Sequence, residues 1–163
     1  MRPPNPAVST PHVARVEVFT SDPNRVHRFG QPFLVKFWIR HLLPMTDGTF
    51  CFQIFNQFQT SVIHSSFYQG ADFRDTAGCS VIECRFPELL LNVGQYDLRT
   101  CLLETSGYIY EILDGICPFE VIRIDKTQLL GWRPEICTHF EEHDWEAVDT
   151  TSNSDFDDLH TLK

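Results

Sequence analysis

From His12 to Ile124, apolar and polar positions alternate with a period of two in a series of short runs. In Phe33–His41, Phe33, Val35, Phe37 and Ile39 fall on one side, and Leu34, Lys36, Trp38 and Arg40 on the other. In Thr49–Gln57, Phe50, Phe52 and Ile54 oppose Cys51, Gln53, Phe55 and Gln57. Ile82, Cys84 and Phe86 oppose Val81, Glu83 and Arg85, while Tyr96, Leu98, Thr100 and Leu102 oppose Asp97, Arg99, Cys101 and Leu103. Successive side chains of a strand point to opposite faces, so this pattern predicts strands buried on one side. Eight runs carry it: Val13–Phe19, Phe33–His41, Thr49–Gln57, Ser61–Ser66, Ser80–Phe86, Gln95–Glu104, Tyr108–Leu113 and Cys117–Ile124. Each break supplies Gly, Asn, Asp or Pro, as at Ser21–Asn24, Pro44–Gly48, Gly70–Gly78, Asn92–Gly94, Ser106-Gly107 and Asp114-Gly115. These residues turn a chain at low steric cost. No run in this span shows an apolar 3.6 repeat with helix-capping signals. The expectation is an all-β protein, an antiparallel sandwich of seven to eight strands over residues 12–124.

The outward sets decide what such a sandwich presents. Sugars offer flat C–H faces and many hydroxyls, which proteins bind by stacking an aromatic ring and hydrogen bonding from Arg, Asp, Glu, Asn or Gln. Trp38 between Lys36 and Arg40, and Phe55 between Gln53 and Gln57, supply that combination, with Arg85 and Arg99 on further strands. If the strands on either side of Pro44–Gly48 pair, the two rows lie about 5 Å apart and form one platform. The bland alternative is that Trp38 or Phe55 is covered by a loop, the tail or a second subunit.

Charge narrows the ligand class. Residues 1–124 carry 12 acidic and 10 basic side chains, a net of −2, and residues 125–163 carry 10 and 3, a net of −7. A near-neutral body with an acidic tail argues against a nucleic-acid ligand, since phosphate binding needs clustered Lys and Arg. Residues 1–11 hold four of the ten prolines and read as a lead-in or linker, while residues 125–163 read as an acidic tail, partly ordered at most. The N-terminus lacks the apolar core of a signal peptide, and no apolar run reaches the ~20 residues that span a bilayer. The six cysteines include no CxxC pair, and several sit in strand-like runs, so they read as reduced thiols.

A catalytic reading finds no support: GxxxxGK[ST], GxGxxG, GxSxG and HExxH are all absent. The carboxylate pairs Glu141-Glu142 and Asp157-Asp158 lie in the tail, where a fixed separation is not expected. Cys137-x-His139-x3-His143 offers three ligands on a tail segment, which is thin support for a metal. The expectation is therefore no catalytic residue, no metal and no cofactor.

Val13–Phe19, the strand Phe33–Ile39 after Gly30-Gln31, the block Arg85–Leu98 and Phe119-Glu120-Val121 resemble the C-terminal domain of Wzt. Wzt is the nucleotide-binding subunit of O-antigen polysaccharide ABC transporters. The block Pro87, Leu89, Leu91, Gly94, Tyr96 and Leu98 carries the likeness most closely, and about 110 of the 163 residues are covered. The resemblance implies an immunoglobulin-like, cytoplasmic, dimeric carbohydrate-binding domain. Its implied partner is the often capped, non-reducing end of a lipid-linked O-antigen glycan, whose completion licenses export. The transporter's ATPase half has no counterpart in this sequence, so contact with the transporter is expected to run through that missing domain. The rival classes are a protein–protein sandwich whose acidic tail binds a partner, and a small enzyme with its site at Gly70–Gly78.

Overall fold

The computed structural model describes residues 10–41, 48–68 and 78–123, together with Glu135 and His139. Eight strands and no helix are found among the described residues: β1 (His12–Phe19), β2 (Val26–Arg28), β3 (Phe33–His41), β4 (Gly48–Asn56), β5 (Ser61–Tyr68), β6 (Gly78–Phe86), β7 (Gly94–Glu104) and β8 (Ile109–Ile122). They form a three-stranded sheet in the order β1-β3-β6 and a five-stranded sheet in the order β2-β8-β7-β4-β5. All pairings are antiparallel except the short parallel contact of β2 with β8.

The inner faces predicted by alternation meet as the core. Phe37 of β3 packs against Phe50 and Phe52 of β4 at ring-centroid distances of 4.7 and 5.1 Å. Phe33 packs against Phe119 of β8 at 4.9 Å, and Tyr96 of β7 stacks on Phe119 at 5.6 Å. Val35, Ile39, Ile54, Leu98 and Leu102 are fully buried among them. This is the interdigitated packing of two sheets about 10 Å apart.

That packing corrects the expected pairing of β3 with β4. Both strands carry their continuous apolar row on one side, and those rows face each other, so the chain crosses from one sheet to the other between them. β3 instead pairs with β1 and β6, and β4 with β5 and β7.

Three smaller corrections concern element limits. β4 ends at Asn56, and Gln57 lies in the turn. There the Asn56 side-chain oxygen accepts from the N–H groups of Phe58 and Thr60 at 3.0 and 2.9 Å. Tyr108–Leu113 and Cys117–Ile124, expected as separate strands, form the single strand β8, whose pairing with β7 shifts at Tyr96/Leu98 and Leu98/Thr100. Gly115 and Cys117, with φ of 60° and 51°, absorb the irregularity within the strand. Lastly, β2 escaped the alternation reading because three residues are too few to show a period.

The block from Pro87 to Tyr96 closes one end of the sandwich. Leu89 and Leu91 are buried, and Leu89 exchanges backbone hydrogen bonds with Gly30 and Gln31 at 3.0 and 3.1 Å. The Tyr96 hydroxyl donates to the Asn92 carbonyl at 2.7 Å. Leu91 also forms an antiparallel bridge with His139.

Candidate functional site

The sequence-predicted residues divide between two outer faces. On the three-stranded sheet, the β1–β3–β6 register places Arg15, Trp38 and Val81 in one row and Glu17, Lys36 and Glu83 in the next. Leu34 stands beside Arg85 in a third row, and Arg40 beside Cys79 in a fourth. Lys36, Trp38, Arg40 and Arg85 are thereby brought together. Arg15 and Glu17 join them, although the alternation reading passed over them: β1 carries a bulge between Val13 and Arg15 that upsets its period.

Trp38 is half-buried, with the Arg15 guanidinium 4.7 Å and the Lys36 ammonium 5.3 Å from its ring centroid. Both cations have carboxylate partners: Arg15 pairs with Glu17, and Lys36 with Glu83 at 3.0 Å. Glu83 also receives Arg85, and hydrogen bonding from Lys36 is the main reason its carboxyl titrates below the ordinary value. Val81, 45% exposed, supplies an apolar surface on the far side of the indole. Chemically the face offers the Trp38 indole, an exposed Phe19 ring in the Leu34 row, four cations and two carboxylates on a rigid three-strand base.

On the five-stranded sheet, Gln53 lies opposite Arg99 on β7 and His64 on β5, and Phe55 lies opposite Asp97. Phe55 is 8% exposed, with the Arg99 guanidinium 4.5 Å from its ring centroid. The expectation that Phe55 presents a stacking ring is thus corrected: it points outward, yet the longer Arg99 side chain lies over it. Arg99 in turn donates to Asp114 at 2.5 Å. Burial, and next the neighbouring Asp114 charge, raise the Asp97 carboxyl above its ordinary value. Gln57 stands apart in the β4–β5 turn. His64 and Asp114 were not singled out, since neither sits in an aromatic-containing alternation; only the pairing of strands brings them to Gln53 and Arg99.

The one platform expected from neighbouring rows is therefore two faces on opposite sides of the molecule. The face with the accessible ring is the candidate site. The Gly70–Gly78 loop apart from Gly78 itself, and the Cys137–His143 spacing apart from His139, lie outside the described residues. Among the described residues, no cluster of three or more His, Cys, Asp or Glu is arranged to hold a metal ion. No described helix is long and apolar enough to cross a membrane.

Comparison with known proteins gives one family and one fold. A family model described as the Wzt C-terminal domain matches residues 13–132. The crystal structure of the C-terminal domain of Wzt is similar with a TM-score of 0.57 at 9% identity, covering 71% of this chain and 75% of that one. A Pseudomonas fluorescens alkylpurine DNA glycosylase bound to abasic-site DNA gives 0.42 at 14% identity, covering 71% and 31%. A mutant Listeria innocua β-glucosidase in complex with laminaribiose gives 0.34 at 11%, covering 66% and 16%. Those two scores are too low to bear on fold or function. No curated protein matches the chain.

Proposed function

From the premise that this chain belongs to the Wzt C-terminal domain family, we propose that it is a non-catalytic module that reads the O-antigen polysaccharide of an ABC transporter. It recognises the non-reducing, capped end of the lipid-linked glycan on the cytoplasmic side, and so couples chain completion to export. Two copies serve a dimeric transporter.

The observation that carries this reading is the Trp38 face. An indole flanked by Arg15, Lys36 and Arg40 and by Glu17 and Glu83, with Arg85 further along the same face, matches what a sugar ring asks for: a flat apolar surface ringed by hydrogen-bonding groups. Its groups sit on strands, so they are held in register before the ligand arrives, and little ordering has to accompany binding. Arg15 is the cover that a sugar ring displaces, because its side chain is 60% exposed whereas Lys36 is held against Glu83.

The test is titration of the full chain with capped and uncapped polysaccharide, comparing wild type with Trp38→Ala and Arg40→Ala. Losing the stacked ring should weaken binding by roughly 5- to 150-fold, equivalent to about 1–3 kcal/mol. Wild-type affinity in both variants, with loss in Arg99→Ala, would move the site to the opposite face. Wild-type affinity in all three would remove the glycan from both faces.

A further inference from the structure

Cys51 of β4 and Cys101 of β7 lie directly opposite each other in an unbroken antiparallel register that runs from Gly48↔Glu104 to Asn56↔Tyr96. Both are half-buried, free thiols on the outward side of the five-stranded sheet's β4–β7 pair. The glycan reading makes no use of them.

Backbone direction defines the kind of pair. The Asn56 N–H donates to Thr60 across the β4–β5 hairpin, and the Glu104 N–H donates to Tyr108 across the β7–β8 hairpin. Backbone groups alternate sides along a strand, so those of Cys51, five residues earlier, point to β7. Those of Cys101, three residues earlier, point to β4. The two cysteines therefore form a hydrogen-bonded pair, whose Cα atoms stand about 5.5 Å apart. That separation lies within the roughly 4.4–6.8 Å range that disulfides span. Cβ atoms at such a pair stand wider than a relaxed disulfide prefers, which makes a bridge there easily reduced. The location adds to this, because outward side chains can close on each other without disturbing the core.

We propose that Cys51 and Cys101 form a reversible cross-strand disulfide with a low-molecular-weight disulfide such as glutathione disulfide as the oxidant. One thiolate attacks a glutathione sulfur, forming a mixed disulfide and releasing one glutathione thiol. The opposing cysteine, after losing its proton, attacks the mixed disulfide and expels the second glutathione thiol. Two protein thiols become one disulfide, and the oxidant takes up both electrons and both protons. Burial, with a contribution from Cys101, raises the Cys51 thiol above its ordinary value, so the reaction is slow near neutral pH and quickens as pH rises. The bridge ties β4 to β7 one outward step from the Gln53–Arg99 row.

The experiment treats the folded full-length chain with glutathione disulfide at pH 8, quenches with acid and maps the unreduced peptides by mass spectrometry. The expected result is a linked species joining the Cys51 and Cys101 peptides, lighter by two hydrogens than their sum and released by dithiothreitol. Cys79, which is exposed, should carry only a glutathione adduct. Cys51→Ser and Cys101→Ser, each checked for folding by circular dichroism, should lose the linked species. Detection of Cys51 and Cys101 as free thiols or separate glutathione adducts after exhaustive treatment would overturn the proposal. So would a bridge joining either one to another cysteine.

Discussion

Trp38 and Phe55 occupy comparable outward positions on β3 and β4, and their neighbours set their different roles. Trp38 has Val81 on one side and Arg15 on the other, which leaves it half-buried. Phe55 lies under Arg99 and is almost wholly covered. Phe55→Ala should cost roughly 3 kcal/mol, as for a buried phenylalanine, and Trp38→Ala closer to ~1 kcal/mol, through lost cation–ring contacts. Urea unfolding of both variants checks the order; equal costs would mean that Trp38 is packed rather than presented. His27 is a second residue defined by surroundings. It is fully buried, its Nδ1 accepts from the Ser21 N–H at 3.2 Å, and its Nε2 lies 3.2 Å from the Gln31 carbonyl. Burial holds its pKa below the ordinary 6.5, outweighing the opposing effects of the Gln31 carbonyl and Asp22. The unfolded chain then binds a proton that the native chain resists. The stabilisation is complete above pH ~6.5 and is lost as pH falls from there through the lowered native value. NMR titration should find the His27 ring still neutral at pH values where exposed histidines are half-protonated; protonation at or above the ordinary value would refute this.

At the scale of elements, turns set where strands begin and end. Asn56 is buried and holds two backbone N–H groups of the β4–β5 turn, so Asn56→Ala should cost about 1–3 kcal/mol, measured as a lower urea midpoint. The turn before β2 is built differently. Asn24 and Arg25 have φ of 60° and 63°, and Val26 N–H donates back to the Pro23 carbonyl at 3.4 Å. A left-handed conformation costs an ordinary residue about 1–2 kcal/mol, part of which a glycine gives back through its greater freedom when unfolded. Arg25 is exposed, and its backbone carbonyl, which accepts from Glu120, survives substitution. Arg25→Gly should therefore stabilise the chain by roughly 0.5–1 kcal/mol in the same measurement. A loss of stability would show that the arginine side chain contributes a contact outweighing the backbone strain.

For the molecule as a whole, the separation of the two outer faces has an energetic consequence. Trp38 and Arg99 lie on different sheets with the aromatic core between them, the first against Arg15 and Lys36 and the second against Phe55 and Asp114. Distant sites add within about 0.3–0.5 kcal/mol, so the unfolding cost of the Trp38→Ala, Arg99→Ala double variant should equal the sum of the singles. A coupling well beyond that range would mean that the faces communicate through the core.

The period-two pattern was enough to determine the strands β1 and β3 to β7 within a few residues, most of the core-facing rows of β3, β4, β6 and β7, and the all-β class. These are local properties: which side of a strand is apolar depends on neighbouring residues alone. The likeness of Pro87–Leu98 to the Wzt C-terminal domain was legible for the same reason, because its leucines, glycine and tyrosine serve a local chain reversal and core entry. Pairing was not legible. Whether the chain between β3 and β4 turns back within a sheet or crosses to the other depends on which apolar faces must meet, and Phe37 against Phe50 and Phe52 settles that only in three dimensions. The same decision parted Trp38 from Phe55, brought Arg15 to the indole and Arg85 to the same face, laid Arg99 over the phenyl ring and placed Cys51 opposite Cys101. Each of these joins residues distant in sequence, and only the burial of two aromatic sheet faces against each other brings them together.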